Sequence, residues 1–452
     1  MKKYLLLVAW LGLGISGAAA QQLVELTLPE AVEYALENNP STKNARLQLL
    51  ISKATIKETT AQGLPQVNGS YNLDYNPKIP VVFLPNQPPF GNPSIPGDVI
   101  PARFGVSYSS GLGVTVSQMI FDGSFFVGLR AAKTLLELTN KDLKKAEIDV
   151  VENVKKAYYG VLVNQQRIRL AESNLSRIDT LLKETIALNE AGFVEKIDVS
   201  RVQVQRNNTY TQVQRSQAGL EISKQILKLQ LGMPMEVELL LAESLQELTP
   251  TEEMTALLGE EGGERIEIAQ VATQITLVGL DIKNNHSQYM PKINFIGNAR
   301  RNGAGNELST VFNNDNWFGS SLVGLSMSVP IFDGFSKAAR IQKNRVQLNQ
   351  LENQRSFLKE SFKNELYLAK TNLRNDLNIL EVQQENLALA AEVYQIARIK
   401  YTEGIGSNLE VVEADASLVA AEINYLGALY DGLISKINLE KALGLLSSSV
   451  TN

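Results

Sequence analysis

The chain contains no cysteine. That rules out disulfides, thiolate metal ligands, thiol catalysis and acylation of a lipoprotein cysteine. A single histidine, His286, leaves no basis for a histidine-centred triad or a His-rich metal centre. It stands just before a strand pattern and reads as a solvated or locally bonded side chain. The formal net charge is -5, and no basic block points to nucleic acid. Beyond the N-terminal region there is no long apolar run, so any crossing of a membrane must be made by a β-barrel. Proline is missing from two long stretches, between Pro101 and Pro234 and after Pro330. Proline inside a helix costs ~3 kcal/mol or more, so both stretches permit very long helices.

The N-terminus carries Lys2 and Lys3, the apolar run Leu5–Ile15 and the small residues Ala18-Ala19-Ala20. This is the pattern of a secretory signal, which predicts residues 1–20 as a removed segment and a mature start near Gln21. The apolar run is shorter than the ~20 residues of a spanning helix.

The tetrapeptide Ile-Phe-Asp-Gly occurs at Ile120–Gly123 and again at Ile331–Gly334. In each place an alternating apolar stretch gives way to a long proline-free one, which predicts two copies of one β-β-α-α unit. The copies are bounded at 21–232 and 264–452, with an acidic connector at 233–263 read as solvated and holding a short helix or two. Long helices are predicted from about Ser124 to Asn189 and from Phe335 to Tyr401. The second is marked by Leu351, Leu358, Phe362, Leu366, Leu373 and Leu380 on one face. At 1.5 Å per residue each is roughly 100 Å long, which suits a coiled-coil array. Each ends at a glycine turn, Gly192 or Gly404. Second helices follow over about Ile197–Leu231 and Leu409–Leu443, closed by Gly232 and Gly444. Each copy opens with a further helix, Leu28–Thr60 and about Ile266–His286.

The strands have period two. Val67, Gly69, Tyr71, Leu73 and Tyr75 alternate with Asn68, Ser70, Asn72, Asp74 and Asn76. Val323, Leu325, Met327, Val329 and Ile331 alternate with small or polar residues. This fits a transmembrane strand between lipid and a wet lumen, and equally a half-buried strand of a soluble sandwich. With no further strands to pack against, the membrane reading is favoured. Tyr75, Phe104, Tyr108, Trp317 and Phe318 suit an interfacial belt. The segment Pro77–Pro101 holds eight prolines and reads as an extended surface loop poor in hydrogen bonds. Four strands leave two open edges, so other copies of the chain must complete the barrel; three copies give twelve strands.

The paired starts Leu64-Pro65-Gln66-Val67-Asn68 and Met290-Pro291-Lys292-Ile293-Asn294, the two Phe-Asp-Gly hinges and the glycine tips come in one order, twice. In this the chain resembles the TolC-like outer membrane efflux proteins over essentially its whole mature length. The resemblance implies an α+β membrane protein: a homotrimer whose twelve-stranded β-barrel in the outer membrane continues as an α-helical coiled-coil barrel across the periplasm. It implies a passive exit duct for efflux or type I secretion, opened at its periplasmic tip by a periplasmic adaptor and an inner-membrane transporter of the RND or ABC class. Phe121, Asp122, Gly123, Phe332, Asp333 and Gly334 would mark where barrel becomes tunnel. Acidic rings at the aperture fall on Glu410 and Glu413. A closing lock falls on Asp198 and Tyr401. The lock's arginine position carries Gly406, which leaves Tyr401 and the nearby Arg201 as partners for Asp198. The tips Gly192, Phe193, Val194, Gly404, Ile405 and Ser407 are the expected adaptor-docking surface.

No catalytic residues, cofactor or metal are assigned. Gly111-Leu112-Gly113 is only a fragment of a phosphate-loop pattern, and the acids lie along helices without a converging pocket. A periplasmic coiled-coil scaffold or adaptor without a channel is the rival reading; it accounts for the helices and leaves the amphipathic strands unexplained.

Overall fold

The computed structural model describes residues 23–89, 91, 94, 96–245 and 251–446. The predicted signal segment lies outside them. The described elements run β1 (Leu23–Leu26), α1 (Leu28–Asn38), α2 (Pro40–Ala61), β2 (Gln66–Tyr75), β3 (Val81–Pro85), β4 (Val99–Arg103), β5 (Tyr108–Phe121), α3 (Gly123–Glu190) and α4 (Lys196–Leu231). They continue with β6 (Glu238–Leu241), α5 (Thr251–Leu257), α6 (Ile266–Ser287), β7 (Lys292–Gly305), two short 3-10 turns, β8 (Trp317–Ser328), α7 (Ser336–Thr402) and α8 (Asn408–Leu443). The order strand, strand, long helix, shorter helix thus occurs twice. The long helices have 68 and 67 residues and the shorter ones 36 each. No helix among the described residues is long and apolar enough to cross a membrane.

The chain forms two compact units. One holds the described residues up to Leu47, Lys141–Ala269 and those from Phe357 on; the other holds Gln48–Asn140 and Gln270–Ser356. In the second unit β2, β5, β7 and β8 make a four-stranded antiparallel sheet in the order β2-β5-β7-β8. Its register sorts side chains by face. Val67, Val116, Gly297 and Val323 share one row, and Phe295 and Leu325 the next toward the helices. The opposite face carries Asn68, Thr115 and Asn298 in one row and Asn72, Gly111 and Asn302 in another. Leu322 and Phe318 also lie on this polar face, so Phe318 is not on the same face as Trp317. The expected belt is divided at that point.

The two Phe-Asp-Gly segments differ in geometry. At the first, β5 runs to Phe121 and α3 begins at Gly123. Asp122 accepts the Ser124 N–H at 2.8 Å and pairs with Lys292 at 2.9 Å. At the second, β8 stops at Ser328, short of the expected Val329 and Ile331, because Pro330 has no N–H to give a ladder. Gly334 and Phe335 then take φ of 65° and 64° before α7 begins. Asp333 accepts the Lys337 N–H at 3.0 Å and caps α7.

Three other expectations change. The opening helix is broken in two at Asn39-Pro40. A residue before proline is driven to extended backbone, and Asn39 has ψ 132°. Its side chain satisfies the break by donating to the Gln230 carbonyl at 2.6 Å and accepting the Ser41 N–H at 2.8 Å. The proline-rich segment is not poor in hydrogen bonds, because β3 and β4 pair antiparallel from Val81↔Arg103 to Pro85↔Val99. A two-stranded ribbon has only edge strands, which tolerate proline. The connector contains a strand, β6, paired in parallel with β1. Two of its acids are also bound. Glu243 accepts the Leu28 N–H at 2.8 Å and the Tyr158 hydroxyl at 2.9 Å, and Glu253 pairs with Lys436 at 2.6 Å.

The main core lies in the first unit, around Tyr158, Leu162, Leu231, Leu373, Leu433 and Ile437. A second buried cluster, including Ile178, Leu181, Val202, Tyr394, Tyr401 and Val411, lies along the same helices toward their glycine turns.

Gly232 and Gly192 are both left-handed, with φ of 70° and 81°. A Cβ at Gly232 would lie 2.6 Å from the Asn38 carbonyl oxygen, whereas at Gly192 it would meet nothing within 4 Å. Gly192→Ala should therefore cost about 1–2 kcal/mol, the price of a left-handed L residue. Gly232→Ala should cost about 1–3 kcal/mol more, since a backbone carbonyl has to move. Thermal unfolding followed by helical circular dichroism checks the order, and equal losses would contradict it.

Candidate functional site

The two glycine turns are built alike. After α3, the Phe193 N–H donates to the Leu188 carbonyl at 2.9 Å and Gly192 takes the left-handed conformation. After α7, the Ile405 N–H donates to the Lys400 carbonyl at 3.0 Å and Gly404 has φ 78°. This is the cap that glycine makes at low steric cost. Each turn leaves one large apolar residue in solvent, Phe193 at 79% exposure and Ile405 at 80%. The Val194 carbonyl accepts from the Asn189 side chain at 2.8 Å. Ser407 caps α8 by accepting the Glu410 N–H at 3.2 Å.

Asp198 is bound within its own helix. It accepts the Glu195 N–H at 3.3 Å and pairs with Arg201 at 2.9 Å. Tyr401 has a different partner. Its hydroxyl lies 3.3 Å from the Thr185 hydroxyl, which also receives the Asn408 amide at 3.2 Å. Thr185, Tyr401 and Asn408 are all buried, so this three-residue hub ties α3 to both helices of the second hairpin. Gly406 is sterically confined. A Cβ there would lie 2.8 Å from the Lys400 Cβ and 3.1 Å from its carbonyl carbon, so the turn leaves no room for a side chain. Glu410 and Glu413 are exposed on the first turns of α8, on the side away from buried Val411, Ala414 and Asp415.

The most buried charges in this region are ones that sequence reading did not single out. Arg177 on α3 reaches Asp415 at 3.3 Å and Glu422 at 3.5 Å on α8, and it lies 5.4 Å from the centre of the Tyr394 ring. Asn174 donates to Glu422 at 2.9 Å. Burial first, and Glu422 beside it, push the Asp415 carboxyl above its ordinary range despite Arg177. Arg398 on α7 pairs with Glu184 at 2.9 Å. One signal was present in the sequence. Asn408, Asp415 and Glu422 are spaced by seven along α8, interleaved with apolar Val411 and Leu418, and all five are buried. Polar residues on a buried heptad row set register at a cost in stability.

This geometry offers a pair of helical hairpins with exposed apolar tips, an acidic face on one of them and a polar clasp inside.

A family model described as outer membrane efflux protein matches residues 31–232 and 257–445. The outer membrane efflux protein BepC of Brucella suis biovar 1 is 20% identical over 440 residues, covering 97% of this chain and 89% of that protein. The probable outer membrane lipoprotein SilC of Salmonella typhimurium is 22% identical over 428 residues, covering 93% of this chain and 86% of that protein. Among solved structures, CusC superposes with a TM-score of 0.71 at 19% identity, over 93% of this chain and 92% of that one.

The clasp has a testable charge balance. A raised carboxyl holds its proton more tightly in the folded protein than in the unfolded chain. The stabilisation from Asp415 is thus full below the ordinary carboxylate value and is lost as pH rises through the raised one. Asp415→Asn should accordingly stabilise the protein relative to wild type at neutral pH, with the gain vanishing near about pH 4. Arg177→Met should destabilise by about 2–3 kcal/mol at neutral pH, reduced from the fully buried case because the arginine is partly exposed. Chemical unfolding at both pH values reads this out, and a loss of neutral-pH stability in Asp415→Asn would sink it.

Proposed function

The chain belongs to the outer membrane efflux protein family, and from that premise we propose how it works. It is an outer membrane efflux channel. The observation that carries the working model is the sheet, apolar on one face, polar on the other and open along β2 and β8. In lipid each unsatisfied backbone group costs several kcal/mol, so the open edges must be closed by further copies. Three copies close a twelve-stranded barrel, an even number within the known range. The polar face lines the lumen and the apolar face meets lipid. The helices continue the wall as a coiled-coil tube, built from two copies of the β-β-α-α unit in each chain at 21–232 and 264–452.

The tube is passive. Its periplasmic end is the pair of hairpin tips, where Gly192, Phe193, Val194, Gly404, Ile405 and Ser407 form the surface that a periplasmic adaptor grips. Exposed Phe193 and Ile405 supply the apolar anchors such a contact needs. An inner-membrane pump provides the energy. Three copies of Glu410 and Glu413 make acidic rings at the narrow mouth, attracting cations and disfavouring anions. Closure depends on Asp198, Arg201 and Tyr401, with Tyr401 acting through Thr185. Without a cysteine the chain carries no thioether-linked lipid, a difference from the lipoprotein named SilC.

The channel reading predicts that the protein pellets with outer membranes, resists alkaline extraction and runs as a heat-labile oligomer. A protein that washes off as a soluble species would support the scaffold reading instead. In planar bilayers, Glu410→Gln combined with Glu413→Gln should weaken cation selectivity and block by divalent cations. Unchanged selectivity would remove the acidic rings from the mechanism.

A further inference from the structure

One strong charge sits on the sheet's apolar face. Arg301 of β7 shares a row with Tyr71, Leu112 and Gly319, flanked by Val114 and Ala299 below and Leu73 and Trp317 above. Its neighbour Arg300 points the other way, over Gly113, where a Cβ would lie 2.9 Å from the Arg300 Cγ. The two arginines therefore serve different surroundings. Arg300 faces the wet side. Arg301 faces the side assigned to lipid, is exposed, and makes no ion pair or side-chain hydrogen bond among the described residues.

Its height explains how such a charge is tolerated. From Ile293, beside the start of α3, to Arg301 is eight residues of strand. At about 3.4 Å per residue and a tilt near 40° this rises about 20 Å, close to the top of an apolar band about 25 Å tall. The rows above are aromatic. Trp317 packs on Gly303, and its indole N–H donates to the Val311 carbonyl at 2.8 Å. Tyr75 and Tyr108 stack at 4.6 Å one row further. On β8 the register partner of Arg301 is Gly319, with Ser321 one row below, and this small-residue stretch of the sheet borders a shallow depression lined by Leu112, Val114, Ala299, Arg300 and Arg301 as well. An arginine a few ångströms below the top of the band, under the aromatic girdle, has a stem long enough to snorkel its guanidinium up to the headgroups. Its fork of donors matches a phosphate.

We propose that Arg301 and the depression beside it bind the phosphate of an outer-leaflet lipid. The proposal rests on the barrel reading above, since only that reading turns this face to lipid. The site fixes one lipid headgroup to each copy at the seam where β8 meets the next chain.

The test uses purified full-length oligomer in detergent, with Trp317 as the optical reporter one row away. Lipid A carrying its phosphates and the same lipid with them removed are titrated separately. Wild type should bind the phosphorylated form about 5-fold more tightly or better. Arg301→Gln should erase that preference, Arg301→Lys should keep most of it, and Arg300→Gln should leave it unchanged. Equal binding of the two lipids by wild type, or a preference surviving in Arg301→Gln, overturns the proposal. So does displacement of the lipid by millimolar inorganic phosphate, which would mark a simple anion site. If Arg301→Gln does not assemble, the wild-type, Arg301→Lys and Arg300→Gln arms still decide. Conductance of wild type in planar bilayers is a separate readout. Its absence strikes the channel reading, whereas conductance without lipid preference strikes only the arginine site.

Discussion

Along Gln66–Tyr75 and Trp317–Ser328, one row of backbone N–H and C=O groups in each strand has no ladder partner among the described residues. In water such edges invite aggregation, and in hydrocarbon they are intolerable. The edge strands are not defended in the usual ways. Neither contains proline or a bulge, both are long, and their apolar side chains are exposed. A sheet made this way is incomplete by construction. In the proposed channel, closing it with further copies gives the alternation of faces its use, with long helices set directly after β5 and shortly after β8.

The helices answer a different constraint. The long helix α7 buries only a narrow stripe that includes Ala369, Leu373, Leu380, Tyr394 and Tyr401, and most of its surface is exposed. Narrow stripes specify register weakly, because an apolar row slides past another with little penalty. The polar ladder Asn408, Asp415 and Glu422 opposes sliding. Each of its members meets a matching group on α3: Thr185 for Asn408, Arg177 for Asp415, and Arg177 with Asn174 for Glu422. A slip by one turn would leave buried carboxylates unpaired, at a cost of about 3–5 kcal/mol. Two carboxylates sharing one guanidinium is not the most stable arrangement possible, as the raised Asp415 carboxyl indicates. Such a clasp is specific without being very strong.

The sequence was most legible where the signal is local. The long helices could be read from missing proline and glycine, and their observed ends fall within a residue or two of the expected ones. The sheet strands could be read from period-two alternation, except at Pro330, where the apolar pattern continues beyond the last residue able to pair. What escaped notice was non-local or opposed to composition. Nothing near Glu238–Leu241 announces a strand, because its partner Leu23–Leu26 lies more than two hundred residues earlier. The prolines of 77–101 masked a ribbon whose strands are all edge. Arg177 carries no local signal, and only the fold places it between Asp415 and Glu422. The heptad row on α8 was visible and its polar members were the clue, but their partners on α3 were not.

The two hairpin tips, similar in backbone, differ in what their polar residues do. At the first, Asp198 is occupied by the Glu195 N–H and by Arg201, all within one helix start, so it rigidifies its own turn. At the second, Gly406 is held to glycine by contact with Lys400, which removes the position from which an arginine would reach across. The cross-link moves instead into the hairpin, to Thr185, Tyr401 and Asn408, where water is excluded and neutral hydrogen bonds are stronger. A hub of neutral groups is insensitive to salt, whereas an exposed ion pair is screened. The charged component sits two helical turns deeper, at Arg177 and Asp415. The polar contacts between the hairpins thus run from a neutral hub at the tip to a buried charge cluster two helical turns deeper.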